Sequence, residues 1–162
     1  MSANQRPGSS GASDVLPTEG RLLAIDLGEV RIGLALSDPT QTIASPAETL
    51  QVPRNQDGPT LDALVNAVER HEVVGLVIGE PRQLDGSVGE PAKRARRFAD
   101  RLRERTGLPV LLWDERFSTT EAERVMLAQD ASRADRRANI DRVAASVLLQ
   151  SVLESQRRDR AV

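Results

Sequence analysis

The chain has 162 residues, 39% of them hydrophobic and 28% charged, with a formal net charge of −2 and no cysteine. That mixture suits a single globular domain with a sizeable core. It excludes a disulfide framework, a thiolate metal site and a cysteine nucleophile, and no apolar run approaches the ~20 residues that span a bilayer. The N-terminus lacks the apolar core of a secretory signal, so cytoplasmic residence is expected.

Residues 1–20 are rich in Ser, Gly, Pro and Ala without apolar periodicity and read as a disordered leader. The runs Arg21–Leu27 and Arg31–Ser37 flank a short polar break containing Gly28, the pattern of two strands joined by a tight hairpin. Asp26 lies inside the first run. A carboxylate in a strand that should be buried must be paired, hydrogen-bonded or bound to a metal, and a divalent cation is the leading expectation.

A third strand is expected near Ala44–Leu50, with Pro46 pushing it to a sheet edge or a bulge. A polar loop follows, then a helix starting near Pro59 with Leu61, Leu64, Val65 and Val68 on one face. The β-branched run Val73–Gly79 between Glu72 and Glu80 predicts a buried strand, followed by a loop with Gly86 and Gly89. A helix over Pro91–Arg105 carries Ala95, Phe98, Ala99 and Leu102 at helical spacing and stops at Gly107. Pro109–Trp113 predicts the fifth strand. Ser118-Thr119-Thr120-Glu121 has the spacing of a capping box opening another helix. The last helix is expected over Ile140–Ser155, with residues 156–162 a flexible tail. The order predicts an α/β fold: a five-stranded mixed sheet, three antiparallel strands then two parallel, with helices on both faces.

Three acidic places stand out. Asp141 leads Ala144, Ala145, Leu148, Leu149 and Val152 along one helix face, which puts it on the inward edge of the first turn; a carboxylate complementing the helix dipole would look the same. Asp114-Glu115-Arg116 follows the fifth strand, where sites gather in such sheets; a surface ion pair worth about 0–1 kcal/mol is the alternative. Together with Asp26, these carboxylates could hold two hard cations about 4 Å apart, an arrangement that cleaves phosphodiesters. Lys93, Arg94, Arg96, Arg97, Arg101, Arg103 and Arg105 cluster on one helix, and Arg133, Arg136, Arg137 and Arg142 surround Asp141. Both groups could neutralise phosphates or form a solvated face. With only Trp113, Phe98 and Phe117 as aromatics, a base-stacking platform is not expected. His71 reads as a helix-end residue, Trp113 as core, Ser118 and Thr119 as caps, and Ser87 as part of a glycine loop.

Four motifs occur in order: Ile25-Asp26-Leu27-Gly28-Glu29-Val30-Arg31-Ile32-Gly33; Val77-Ile78-Gly79-Glu80-Pro81 with Asp85-Gly86; Asp114-Glu115-Arg116-Phe117-Ser118-Thr119; and Ile140-Asp141-Arg142-Val143-Ala144-Ala145. Together they resemble the YqgF/RuvX family over about Arg21 to Ser155. The resemblance implies a ribonuclease H-like nuclease domain over residues 21–155, dependent on magnesium or manganese. It also implies a role in trimming the 5′ end of precursor 16S ribosomal RNA, or in resolving Holliday junctions. Carried over by motif, Asp26, Glu115 and Asp141 would be the catalytic metal ligands, with Asp114 or Glu80 as additional candidates. Gly28 and Gly33 would lie in the hairpin beside them. Nucleic acid would be held by Arg31, Lys93, Arg94, Arg97, Arg116, Arg136 and Arg137. The chain departs from the family in two places: Glu80 stands where an apolar residue is usual, and Asn139, with Arg136 and Arg137 farther back, where a lysine is common.

Two other readings compete. A non-catalytic RNA-binding or assembly module predicts salt-sensitive binding without metal-stimulated cleavage. An actin-like kinase would need a second lobe, for which 162 residues leave no room. Symmetric cutting of a junction would call for a homodimer, and RNA trimming would not.

Overall fold

The computed structural model describes residues 15–53, 56–83, 85–117 and 133–161, with the side chains of 133–141 and of Ala161 outside that description. Strands β1 (Arg21–Leu27), β2 (Arg31–Ser37) and β3 (Ala44–Gln51) lead to helix α1 (Asp57–Arg70) and strand β4 (Val73–Glu80). Helix α2 (Glu90–Thr106), strand β5 (Val110–Asp114), a 3-10 turn (Glu115–Phe117) and helix α3 (Arg133–Ala161) complete the order. The five strands form one sheet in the order β3-β2-β1-β4-β5. β1 pairs antiparallel with β2 and β2 with β3, while β1 and β4, and β4 and β5, are parallel. All five strands stand where the hydrophobic pattern puts them. The helix expected after Ser118 lies outside the described residues.

Side-chain alternation sorts the core into two layers. Leu23, Ile25, Leu76 and Ile78 pack with Leu61, Leu64, Phe98 and Leu102 of α1 and α2. Leu22, Ala24 and Val77 pack on the opposite face with Ala145, Leu148, Leu149, Val152 and Leu153 of α3. β3 is an edge strand, and its register with β2 shifts where Ala35 meets Pro46, so the proline sits at both an edge and an irregularity. Gly107 ends α2 in the left-handed region (φ 70°), its N–H donating to Arg103 O at 2.9 Å.

Three expectations need correction. Residues 15–20, expected as part of a disordered leader, pack on the domain: Leu16 is buried against Gly75, and Gln41 Nε2 donates to Pro17 O at 2.9 Å and Gly20 O at 3.0 Å. α3 begins at Arg133 and continues to Ala161. Asp141 therefore stands roughly two turns inside the helix, which removes the first-turn dipole explanation, and helix replaces the expected tail through Ala161. The flanks rich in alanine, arginine and glutamine have high helix propensity but no apolar stripe, so periodicity does not reveal them. Finally, Ala144 is exposed, and the buried stripe is carried by Ala145, Leu148, Leu149, Val152 and Leu153. Among the described residues, no helix is long and apolar enough to cross a membrane.

Candidate active site

Parallel pairing of β1, β4 and β5 brings three strand ends to one edge of the molecule. Asp26, half-buried, is the penultimate residue of β1 and lies opposite Gly33 of β2. Following Leu22 and Ala24, it falls on the α3 side of the sheet by alternation. On β4 the same side is taken by Val77 and then Gly79, which pairs with Trp113 of β5.

Glu115 is the first residue of the turn after β5. Its carboxyl occupies the place where a Cβ on Gly79 would stand; Glu115 Oε1 would overlap that atom. The missing side chain on β4 thus lets Glu115 cross the middle strand and reach Asp26. Burial pushes the Glu115 carboxyl up to about 7, helped by the Asp26 charge, by a hydrogen bond to Asp26 and by the Asp114 charge. Two carboxylates held in contact and partly out of water repel when both ionise. Two such oxygen donors match what a hard divalent cation takes.

From the sequence Gly79 reads only as a strand residue. A glycine inside a strand can mark a place where another group approaches the backbone closely.

The remaining acidic candidates have other partners. Asp114 accepts hydrogen bonds from the Arg116 side chain at 2.6 to 3.1 Å and from the Arg116 N–H at 3.0 Å, so it caps the turn that carries Glu115. Those hydrogen bonds outweigh burial and hold its carboxyl below the ordinary range. Glu80, 3% exposed, follows Leu76 and Ile78 by alternation onto the α1–α2 side. It accepts from Arg82 at 2.5 Å and from Arg96 at 2.8 Å. Burial alone would raise the Glu80 carboxyl, but the bonds from Arg96 and Arg82 prevail and lower it. Glu80→Gln leaves those arginines facing a neutral buried amide. Breaking a buried pair costs ~3–5 kcal/mol; because both arginines reach water, a loss of about 1–2 kcal/mol is expected, read from urea unfolding at pH 7.

The basic helix is less free than its composition suggests. Arg96 binds Glu80, Arg103 binds Asp100 at 2.8 Å, Arg105 binds Asp62 at 2.8 Å, and Arg101 lies 3.9 Å from Asp57. Arg94 donates to a backbone carbonyl. Lys93 reaches Glu90 only at 3.9 Å, and Arg97 is exposed. Arg31 is half-buried at the start of β2. His71 caps the C-terminal end of α1, and Trp113 is half-buried, edge-on to Phe117 at 6.0 Å. Ser87 closes the loop turn, its N–H on Asp85 at 2.8 Å and its hydroxyl on Gln83 at 3.0 Å. Ser118 and Thr119 lie outside the described residues.

Asp141, Arg136 and Arg137 belong to the α3 backbone, and their side chains are outside the described set. Among the described residues, no three His, Asp or Glu side chains group to hold a metal.

The model of the RuvX family, described as Holliday junction resolvase, matches residues 20–155. A protein of Roseiflexus sp. (strain RS-1), named "Putative pre-16S rRNA nuclease", is 42% identical over 139 residues, covering 85% of this chain and 96% of its own. A protein of the same name from Jannaschia sp. (strain CCS1) is 46% identical over 154 residues, covering 93% and 94%. Among solved structures, RuvC of T. thermophilus in complex with a Holliday junction substrate superposes with a TM-score of 0.54 at 13% identity, covering 85% of this chain and 95% of that one. The yeast mitochondrial Holliday junction resolvase Ydc2 gives 0.55 at 13% identity, covering 92% and 83%. These structural likenesses establish a ribonuclease H-like fold.

Proposed function

The chain belongs to the RuvX family, and on that footing we propose that it is a divalent-metal-dependent nuclease acting in 5′-end processing of precursor 16S ribosomal RNA. The observation that carries the proposal is the meeting of Asp26 and Glu115 across Gly79 at the ends of parallel strands. The names of the relatives favour ribosomal RNA as the substrate.

In this reading Asp26 and Glu115 would hold magnesium or manganese, with Asp141 of α3 as the candidate third ligand. Bound there, a pair of such ions supplies an activated water and charge stabilisation at the leaving oxygen. Asp26 comes from the middle of the sheet and is fixed by strand pairing on the β2 side. Glu115 is fixed by the Asp114-capped turn. Asp114 and Glu80 act as structural anchors for arginines. Lys93, Arg97 and Arg116 are exposed and would supply phosphate contacts, with Arg31, Arg136 and Arg137 as further candidates.

The family description favours a second substrate, branched DNA. Cleavage of precursor 16S RNA and of a four-way DNA junction, side by side with manganese and with a chelator, decides between them. Metal-dependent trimming of the RNA with the junction left whole is expected. Failure to cut either substrate with magnesium or manganese would leave a binding module in place of an enzyme.

A further inference from the structure

Arg94 belongs by composition to the basic group expected on phosphates, yet its guanidinium is committed elsewhere. Nη1 donates to the carbonyl oxygen of Gly28 at 2.6 Å, linking α2 to the β1–β2 turn. The guanidinium carbon stands 5.2 Å from the centre of the Phe98 ring. Phe98 is 1% exposed and part of the α1–α2 core, so one face of the cation is backed by fixed packing while one edge is hydrogen-bonded.

The other end of this link is equally constrained. The Gly28 N–H donates to Arg31 O at 3.0 Å, and a Cβ on Gly28 would overlap that carbonyl. Strand pairing stops at Leu27–Ile32 on the β2 side and at Ile25–Ile78 on the β4 side. Beyond those pairs, the bonds that hold the turn after Asp26 include Gly28 to Arg31, Val52 N–H to Val30 O at 2.8 Å, and Arg94 to Gly28. The last of these comes from α2, outside the meander.

We propose that Arg94 is a positioning residue: its hydrogen bond to Gly28 holds the β1–β2 turn so that Asp26 keeps its place beside Glu115, and it is not a nucleic-acid contact. The inference rests on the nuclease reading of that carboxylate pair. Arg97, on the same helix, makes the contrast; it is exposed and has no partner among the described residues.

The test compares Arg94→Ala, Arg94→Met and Arg97→Ala in the full chain. Met keeps an apolar stem over Phe98 while removing the donors and the charge, and serves if the alanine variant does not fold. With either Arg94 variant, kcat on precursor RNA is expected to fall about 10–100-fold, the range seen for groups that orient metal ligands. KM and the slope of log affinity against log salt should match wild type. Manganese affinity without substrate, read by electron paramagnetic resonance, should weaken about tenfold, and the amides of residues 28–31 should exchange faster. Arg97→Ala should instead raise KM and make the salt slope shallower by about one. A raised KM with a shallower salt slope and intact kcat for Arg94→Met would overturn the proposal, as would unaltered amide exchange over residues 28–31. If wild type cuts nothing, the nuclease reading falls, and manganese affinity and amide exchange still decide the part played by Arg94.

Discussion

Asp26→Asn is expected to lower kcat for RNA cleavage by about a thousandfold or more while raising the melting temperature of the metal-free protein at pH 8. The two effects have one cause. Asp26 and Glu115 touch in a partly dry setting, so the arrangement that suits a cation is a repulsive one without it. An amide removes the repulsion together with a hard oxygen charge, and removing one preorganised charged group from a reaction centre costs orders of magnitude in rate.

The pH dependence of stability carries the same signature. Glu115 titrates near 7 in the folded protein against an ordinary value of 4.5. Between those values the folded state holds a proton that the unfolded state has lost, so folding is favoured below about 4.5 and loses that advantage as pH rises through 7. Asp38, held at about 2 chiefly by hydrogen bonds from Ile43 and Thr40, works the other way, as do Glu80, Asp85 and Asp114, whose carboxyls are also lowered. Their contributions fade only as pH falls through and below the usual carboxylate range. Scanning calorimetry of metal-free wild type from pH 5 to 8 should therefore show the melting temperature falling by about 4–8 °C. The fall should shrink in Asp26→Asn and be absent in Glu115→Gln. A flat wild-type profile would mean that Glu115 is neither buried nor held against Asp26.

The second large effect is expected from the smallest change, Gly79→Ala. The added methyl would take the space of the Glu115 carboxyl and force it off Asp26. A displacement of about 1 Å at a reacting centre can cost 10²-fold in rate, so kcat should fall about a hundredfold; overpacking adds a stability loss of about 1–3 kcal/mol. Steric coupling gives the check. Gly79→Ala introduced into Glu115→Gln should lower kcat little further, because the side chain it displaces has already lost its charge. Additive losses would mean that Gly79 acts on the strand alone.

Much of this arrangement can be read from the chain before any coordinates. The period-two runs around Gly28 place β1 and β2, and the carboxylate at Asp26 stands out because a buried strand tolerates it only with a partner. Glu115 is legible through its position just past a strand. Gly79 is not, since its importance lies in an atom it lacks and in a residue far along the chain. Glu80 illustrates a different limit: a charge at the end of a strand looks the same whether it turns toward a metal or toward Arg82 and Arg96, and only the pleat decides which. The arginines of α2 share that ambiguity, because paired and unpaired cations have the same spacing. The start of α3 stays hidden because its first residues carry high propensity without an amphipathic stripe.

The strand order also bears on when the molecule can act during its own synthesis. Asp26 is made early, but its partner sits on a turn that can take its place only after Val110–Asp114 has added to the outer side of β4. A nascent polypeptide that has not yet released this segment from the ribosome would hold a lone aspartate at the end of its first strand. The pairing of Asp26 with Glu115 would thus be completed late in translation, after β5 has joined the sheet.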